Sequence, residues 1–367
     1  MLRKRIMILL TAAAVSAALA LTGGCSVKKT AGQQTESQTE DKNDRSAEIF
    51  SMGTVFSARV IGQDAQSILE EADDAIYKAD DLISYRKEDS LTADFNSQHK
   101  ADVSPISDLM QQTLDISKKS KGAFDPTVLP LTQVWQFDRM QEEDFDVSSM
   151  KVPDQASIDQ ALEHVDYKKL DFDNKTGLLS TSDPDQKLEL GAVGKGFAID
   201  QAMSVIREKK AKGALISAGS SIGLMGVKED GSSFTVALRD PRGDEGDYIG
   251  LFHTTDCTIS TSGDYERYFE YKGKRYHHIL DPHTGYPSDS GLMQVTILCS
   301  SGSLGDALST ACFALGLDEG MKLAKEYNVL AIFVDNDRHI WYNNTGLSDI
   351  FEFTGKDSGY TLSEYNK

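Results

Sequence analysis

The sequence predicts an α+β fold in which mainly antiparallel sheets pack against helices. Short strand-forming runs dominate the second half of the chain, whereas segments with a helical spacing of apolar residues are scattered along it. Lys272-Gly273 separates two of these runs and predicts the turn of an antiparallel hairpin. These observations favour an α+β fold over a doubly wound parallel sheet, which needs strands and helices in regular alternation.

The start of the chain has the pattern of an export signal. Three basic residues at positions 3–5 precede an uncharged apolar stretch over residues 6–21, and two glycines lead into Cys25. This pattern predicts a secretory signal peptide over residues 1–24. Because a lipoprotein signal peptidase accepts small residues directly before a cysteine, we expect Cys25 to carry a lipid. The protein would then be anchored at the cell membrane on its extracytoplasmic side; an uncleaved anchor and a plain secretory signal are the alternatives.

A polar tether follows the signal. Residues 25–46 are too poor in apolar side chains to fold, so we expect them to be disordered. Residues 47–367, about 320 in number, are enough to bury a substantial core, and we predict one large domain there. No second linker, internal repeat or later membrane-spanning run is visible in the sequence.

The charge and the cysteines exclude several functions. A formal net charge of −19 argues against nucleic acid binding, because phosphate backbones are held by clustered Lys and Arg. An anionic ligand would therefore need a metal ion or local amide groups. Apart from Cys25, the cysteines are Cys257, Cys299 and Cys312. Their odd number and the lack of a C-x-x-C pair argue against a disulfide framework and a structural zinc site, and their apolar neighbours predict buried, unreactive thiols.

Four segments have the spacing of helices. Apolar residues recur at helical intervals over residues 64–84, where Asp64 is available as a cap, and further helices are predicted over 107–119, 194–212 and 303–316. Strand-like runs are predicted at residues 214–217, 234–238, 258–261, 265–271, 275–280, 292–299, 329–334, 339–342 and 350–353.

Two segments have features of phosphate binding. Residues 260–265 place small hydroxyl residues and a glycine at the end of a predicted strand, where amides and hydroxyls can meet phosphate oxygens. Residues 189–196 form a glycine-rich turn before a helix, which offers amide groups, a positive dipole end and Lys195 to a phosphate. An ordinary Ser/Gly turn and a close helix–strand packing turn are the respective structural alternatives.

Residues 277–287 contain three histidines and one aspartate, which suggests zinc binding. However, His277 and His278 point to opposite faces of a strand, so both cannot bind one ion without a bulge. A better interpretation makes one imidazole a general base or a phosphate partner, with the Pro/Gly turn holding Asp281 in place. A capping Asp and a hydrogen-bonded structural His are the alternative for any single residue.

Asp306 and Thr310 are four residues apart on a predicted helix and therefore share one face. A carboxylate and a hydroxyl are hard oxygen ligands, which suit Mg²⁺ shared with substrate phosphates better than zinc. A solvated polar helix face is the alternative.

In order along the chain, these segments resemble the ApbE family, the FAD:protein FMN transferases. The resemblance runs from about residue 50 to residue 316. It rests on the following segments: Ser51-Met52-Gly53-Thr54, Tyr85-Arg86 with Asp89-Ser90 and Asn96, Gly122-Ala123-Phe124-Asp125-Pro126-Thr127 with Trp135, Gly191 to Gly196, Ala218-Gly219, Thr261-Ser262-Gly263-Asp264-Tyr265, His278-Ile279-Leu280-Asp281-Pro282 with Thr284-Gly285, and Asp306-Ala307-Leu308 with Thr310.

The resemblance implies a two-lobed domain with the FAD site between the lobes, and Mg²⁺-dependent transfer of FMN from FAD to a Thr or Ser hydroxyl of an exported flavoprotein, with release of AMP. Asp306, Thr310 and the backbone carbonyl of Ala192 match the Mg²⁺ site. His278 and Asp281 fall where catalytic residues are expected, and either is a candidate base. FAD contacts are implied at Met52, Tyr85, Ala123, Phe124, Asp125, Glu189, Lys195, Thr261, Ser262, Gly263 and Ile279.

Two other functions fit the same residues. A hydrolase would split FAD to FMN and AMP with water as the acceptor, and the sequence does not separate it from a transferase. A non-catalytic FAD-binding lipoprotein would be expected to lack the metal ligands, yet Asp306 and Thr310 are both present. The acceptors implied by the resemblance are exported redox subunits with a short motif that contains Ser or Thr.

Overall fold

The computed structural model describes residues 43–142, 144–343 and 346–366, which form seventeen strands and seven α-helices. The strands are β1 Asp44–Ser51, β2 Thr54–Ile61, β3 Lys100–Asp102, β4 Leu170–Asp173, β5 Leu178–Thr181, β6 Gly213–Ala218, β7 Ser221–Gly226, β8 Phe234–Arg239, β9 Tyr248–Thr254, β10 Thr258–Gly263, β11 Tyr268–Tyr271, β12 Lys274–His277, β13 Leu292–Cys299, β14 Leu330–Asp335, β15 His339–Tyr342, β16 Phe351–Phe353 and β17 Thr361–Glu364. The helices are α1 Ala65–Ile83, α2 Leu91–Gln98, α3 Ser107–Lys119, α4 Leu129–Val134, α5 Gln155–Leu162, α6 Gly191–Glu208 and α7 Gly302–Glu326.

Nine strands form the central sheet, in the order β1-β2-β6-β7-β10-β13-β14-β15-β17. Every pair in it is antiparallel except β15 with β17. The other sheets are β3-β5-β4, β16-β9-β8 and the hairpin β11-β12. The mainly antiparallel α+β fold is thereby confirmed. The residues described from 43 onward belong to one compact unit, and its division into two lobes stays a prediction.

Both faces of the central sheet are buried, which explains its long apolar strands. On β14, Ala331 and Phe333 belong to a core that also contains side chains of α1, α6 and α7. Between them, Ile332 and Val334 belong to a second core that contains side chains of β8 and β9. Successive side chains of a strand point to opposite faces. Helices α1, α6 and α7 therefore cover one face of the central sheet, and the β16-β9-β8 sheet covers the other.

The predicted helices are present, with local differences in three of them. α1 and α3 end within one residue of their predicted bounds, but Asp64 adopts a left-handed conformation and its side chain makes no capping hydrogen bond. α6 begins at Gly191 rather than near Gly194, so the glycine-rich segment is itself helical, and it ends at Glu208 rather than at residue 212. α7, the last helix, is interrupted at Gly316, where φ is 78°, and then continues to Glu326.

The sequence pattern does not predict β7 and β9, because each contains a glycine that lowers strand propensity. Their glycines serve close packing. A Cβ on Gly223 would lie 2.4 Å from the Ile199 side chain, and one on Gly250 would lie 2.1 Å from the Phe351 ring. At the start of the domain, β1 includes residues 44–46, which the composition assigns to the tether.

Gly196 sets the approach of α6 to α7. A Cβ at this position would lie 2.1 Å from the carbonyl carbon of Gly302, a backbone atom. We expect Gly196→Ala to lower the free energy of unfolding by about 2–3 kcal/mol, because the two helices would have to separate. The exposed Ser204→Ala in the same helix is the control and should change stability by less than about 0.5 kcal/mol. Urea titration measures both; equal stabilities would contradict the packing argument.

Candidate active site

A cavity of about 870 Å³ opens beside the tip of the β1–β2 hairpin. Its volume lies at the upper end of the range for small-molecule sites, so a dinucleotide is a suitable occupant. All but two of the site residues predicted from the sequence line it: Met52, Tyr85, Ala123, Phe124, Asp125, Glu189, Ala192, Lys195, Thr261, Ser262, Gly263, His278, Ile279, Asp306 and Thr310. The exceptions are Asp281 and Cys25, and Cys25 lies outside the described residues.

Asp306 is the buried carboxylate of this cavity. It is 4% exposed. One of its oxygens accepts a hydrogen bond from the Ser221 hydroxyl at 2.6 Å and the other accepts from the Gly196 amide at 2.8 Å. The Lys195 ammonium lies 4.0 Å away. Each carboxylate oxygen retains lone-pair capacity, so Asp306 is held in one orientation and remains able to bind a cation.

Hydroxyl side chains line the same cavity as this carboxylate. The Ser262 hydroxyl, on β10, lies 3.2 Å from that of Thr310 and 2.8 Å from that of Ser309. Ala192 lies in the first turn of α6 and lines the same cavity. The cavity therefore offers a carboxylate and hydroxyls, and it contains Ala192, whose carbonyl the resemblance implies as a ligand. These are the hard oxygen ligands that Mg²⁺ prefers, so the residues fit a magnesium site.

His278 follows strand β12 and lines the same cavity as these ligands. Its Nδ1 lies 3.2 Å from the carbonyl oxygen of Arg267. Because a carbonyl only accepts hydrogen bonds, Nδ1 carries the proton of the neutral ring and Nε2 has a free lone pair. Burial, followed by the nearby Arg267 charge, holds the pKa of His278 well below the usual histidine value. A neutral imidazole of this kind is ready to accept a proton.

Two residues near His278 in the sequence, His277 and Asp281, make hydrogen bonds that stabilise the local structure. His277 is buried and its Nε2 lies 3.0 Å from the backbone oxygen of Ser288. Asp281 does not line the cavity: its carboxylate accepts hydrogen bonds from the backbone amide of His283 and the hydroxyl of Thr284, both at 3.0 Å. Asp281 therefore caps its own turn in this structure. Of the two candidate bases, the geometry favours His278.

If His278 is the base of the FMN transfer that the sequence resemblance implies, the pH dependence of the transfer rate should reflect the low pKa of His278. A base works in its unprotonated form, which persists at every pH above its own pKa. Because that pKa lies well below 6.5, the rate should stay level as the pH falls to 6.5 and decline only at lower pH. Single-turnover rates at saturating substrate between about pH 5 and pH 8 measure this. A midpoint at or above 6.5 would contradict the assignment of the base.

Arg267 is a cavity residue that the sequence motifs do not single out. Burial lowers the pKa of the Arg267 guanidinium, and the nearby Glu189 carboxylate offsets part of this effect. Glu189 accepts a hydrogen bond from the Thr132 hydroxyl at 3.1 Å, and burial raises the pKa of its carboxyl group. Together with Tyr85, these groups line one wall of the cavity. Its position in the sequence could have indicated this, because Arg267 is four residues after Gly263, the glycine of the predicted phosphate-binding segment.

Asp80 is a second residue that sequence reasoning missed. It is 5% exposed, lies on α1 and lines the cavity. Its carboxylate accepts hydrogen bonds from the Ser51 hydroxyl at 3.0 Å and the Met52 amide at 3.3 Å, and it pairs with Lys87 at 2.7 Å. These contacts hold Met52 in place. A carboxylate within the apolar stripe of α1 was the signal that could have revealed it.

Residues 123–125 form another part of the wall. Asp125 is buried and accepts hydrogen bonds from the Thr127 amide at 2.8 Å, the Thr127 hydroxyl at 2.6 Å and the Tyr167 amide at 2.8 Å. Burial raises the pKa of this carboxyl group. The carboxylate thus fixes the turn that presents Phe124 to the cavity, in addition to lining it.

The three described cysteines are free thiols as expected, but the prediction that they are buried is wrong for two of them. Cys312 is buried, whereas Cys257 and Cys299 are partly exposed. Burial raises the pKa of each thiol, so they are protonated and weakly nucleophilic at neutral pH. Among the described residues, no helix has the length and apolar character needed to cross a bilayer.

The chain is similar to proteins of one known family. The model of the ApbE family matches residues 52–333. The FAD:protein FMN transferase of Klebsiella pneumoniae (strain 342) is 30% identical over 316 residues, which cover 85% of this chain and 94% of that protein. The FAD:protein FMN transferase of Treponema pallidum (strain Nichols) is 29% identical over 315 residues, covering 79% and 84%.

Solved structures have the same fold. The crystal structure of the ApbE protein of Thermotoga maritima superposes with a TM-score of 0.71 at 28% identity and covers 86% of this chain and 98% of that chain. The flavin transferase ApbE of Vibrio cholerae gives a TM-score of 0.69 at 23% identity, covering 85% and 97%. The family match over residues 52–333 and a relative that is 30% identical over most of the chain show that this protein belongs to the ApbE family.

Proposed function

We propose that this protein is an FAD:protein FMN transferase. In the proposed reaction the FMN half of FAD moves to a Thr or Ser hydroxyl of an exported acceptor protein, AMP is released, and Mg²⁺ is the cofactor. The observation that carries the proposal is the presence, in one cavity, of hard oxygen ligands around Asp306 and a neutral imidazole at His278. Family membership and the names of the curated relatives support it.

The metal ligands would be Asp306, Thr310 and the carbonyl of Ala192. Mg²⁺ bound by them would neutralise charge on the pyrophosphate oxygens of FAD. The protein's own contribution is to hold these ligands still: Ser221 and the Gly196 amide fix the Asp306 carboxylate, and the Ser262 hydroxyl contacts the Thr310 hydroxyl. Lys195 adds a positive charge beside the same group.

The chemical step is a displacement at the phosphorus nearer to riboflavin. The acceptor hydroxyl oxygen forms a bond to this phosphorus, and the bond between the phosphorus and the bridging oxygen breaks. AMP leaves with the bridging oxygen, and the hydroxyl proton passes to Nε2 of His278. A neutral hydroxyl is a weak nucleophile, so a base within reach accelerates the step. The Nδ1–H···O hydrogen bond to Arg267 keeps the ring in the tautomer that this transfer needs.

The experiment uses residues 43–367 with FAD, Mg²⁺ and an exported flavoprotein that carries a threonine motif. Intact mass spectrometry of the acceptor should show a gain equal to FMN minus water, which EDTA abolishes. AMP and free FMN without modified acceptor would instead indicate the hydrolase. FAD that stays intact, with an acceptor known to be flavinylated by a family member, would indicate a binding protein and overturn the proposal.

We also propose that a lipid on Cys25 anchors the protein on the extracytoplasmic side of the cell membrane. The support is the sequence of residues 1–25, which ends with small residues before the cysteine. Full-length protein expressed in a bacterium should partition into detergent and incorporate labelled fatty acid. Cys25→Ala should lose both properties, whereas Cys257→Ala, the control, should keep them. Label retained in Cys25→Ala would refute the anchor.

A further inference from the structure

We propose that the exposed apolar pair Phe50 and Val55, beside the mouth of the cavity, is a docking surface for the acceptor polypeptide. The inference rests on the proposed flavin transfer, because only a transferase must admit a second polypeptide to the bound dinucleotide. It concerns how the acceptor is recognised and leaves the chemical step unchanged.

The pair lies on the outer face of the β1–β2 hairpin. Phe50 and Val55 are 66% and 50% exposed, and they are direct partners in the antiparallel register. Side chains that are directly opposite lie on the same face, so the two form one apolar surface. Large apolar groups at such exposure mark interaction sites when they are adjacent rather than scattered.

The rest of this outer face is polar. The register places Glu48 opposite Ser57, and their side chains are hydrogen-bonded at 3.0 Å. One step further along, Ser46 is opposite Arg59, whose guanidinium binds Asp44. The strand pattern therefore supplies polar residues wherever the hairpin meets solvent, and changes to apolar residues only beside the cavity. Stability of the hairpin does not require this change, because its inner face already packs into the core.

The apolar pair is held in a fixed position. Met52 and Gly53 form the two-residue turn between the strands, with φ values of 51° and 71°, which is the geometry of a tight hairpin turn. Directly beneath the turn, buried Asp80 accepts hydrogen bonds from the Ser51 hydroxyl and the Met52 amide. A surface that is ordered before binding costs less conformational entropy when a partner docks.

The location identifies the occupant. Phe50 lines the cavity whereas Val55 does not, so the apolar surface continues from the cavity wall to the outside of the protein. Tyr77 on α1, 42% exposed, also lines the cavity. A polypeptide that brings its hydroxyl to FAD has to pass the mouth of the cavity, whose rim carries Phe50 and Val55. β1 is an edge strand of the central sheet, so an extended polypeptide can lie beside it. The partner that fits is an acceptor segment with an apolar side chain close to the modified hydroxyl.

The test compares Val55→Ser with the wild type in acceptor titrations at saturating FAD. This variant should raise KM for the acceptor about tenfold and change kcat by less than about twofold, because the contact contributes to docking and not to the transition state. The control is Leu178→Ser: Leu178 is 46% exposed, lies on β5 and does not line the cavity. It should behave as the wild type. FAD affinity, measured by flavin fluorescence, should be unchanged in Val55→Ser.

The outcomes separate this inference from the function on which it rests. A wild-type protein that modifies no acceptor overturns the proposed function itself. If the wild type transfers FMN and Val55→Ser keeps its KM, the docking surface is refuted. A weaker FAD affinity at unchanged acceptor KM would assign the pair to the dinucleotide and also refute it. An equal rise of KM in Leu178→Ser would show that the effect is not specific to the rim.

Discussion

Asp306→Ala is expected to lower the rate of FMN transfer about a thousandfold. The carboxylate is the only charged ligand proposed for Mg²⁺, and stabilisation of phosphoryl transfer by a metal is worth several kcal/mol. The change would be seen as loss of modified acceptor in timed intact-mass measurements. Raising the Mg²⁺ concentration should restore little of the rate, because the site would retain only neutral oxygen ligands.

The same change also leaves two buried donors without a partner, the Gly196 amide and the Ser221 hydroxyl. We therefore expect a loss of about 2–3 kcal/mol in stability, which must be separated from the loss of activity. Ser221→Ala is the matched control, because it removes one of these hydrogen bonds and keeps the carboxylate. It should keep its rate within about tenfold of the wild type. If Ser221→Ala loses as much activity as Asp306→Ala, the metal assignment is wrong.

His278→Ala is expected to lower the transfer rate by about 10²- to 10⁴-fold, which is the usual contribution of a general base. FAD affinity should fall by less than about threefold, since the proposed role of the ring begins only when the acceptor hydroxyl attacks. Stopped-flow or quenched single-turnover measurements with FAD already bound isolate this step, and equilibrium dialysis measures the affinity.

His277 supplies the control for this variant. It is adjacent in sequence, but its buried ring contacts the backbone of Ser288 and the ring of Phe313 and does not line the cavity. His277→Gln should therefore reduce stability and keep most of the transfer rate. A normal rate in His278→Ala, or equal losses in both variants, would refute the role of His278 as the base. Asp281→Asn, which retains a turn-capping side chain, should also remain active.

Several local elements of the fold follow from local patterns, whereas α2, α4 and α5 were not predicted. The bounds of α1 and α3 agree with the apolar spacing to within a residue, because a helix that buries one stripe must repeat its apolar residues with the helical period. The turn at Lys272-Gly273 was also predicted, and both residues have positive φ values there. Where tertiary contacts override local propensity, as in glycine-containing β7 and β9, the pattern missed the strand.

The site residues divide in the same way. Thr310 and Asp306 share a helix face because they are four residues apart, so the sequence alone determined that they could act together. Chain order and residue type also indicated the family. The sequence could not show that the Asp281 carboxylate accepts hydrogen bonds from residues 283 and 284 of its own turn. A capping aspartate and a catalytic aspartate look alike in sequence.

The tertiary structure alone decided which distant groups meet in the cavity. Asp80 reaches Met52 across 28 residues, and the Gly196 amide reaches Asp306 across 110. Such contacts depend on the order of strands in the central sheet and on the close approach of α6 to α7, which local periodicity does not encode. The sequence by itself determined α1, α3, most of α6 and the first part of α7, together with the turn at Lys272-Gly273 and the chemical groups available. Long-range packing determined their partners, and with them the orientation of Asp306, the tautomer of His278 and the position of the apolar pair at the rim.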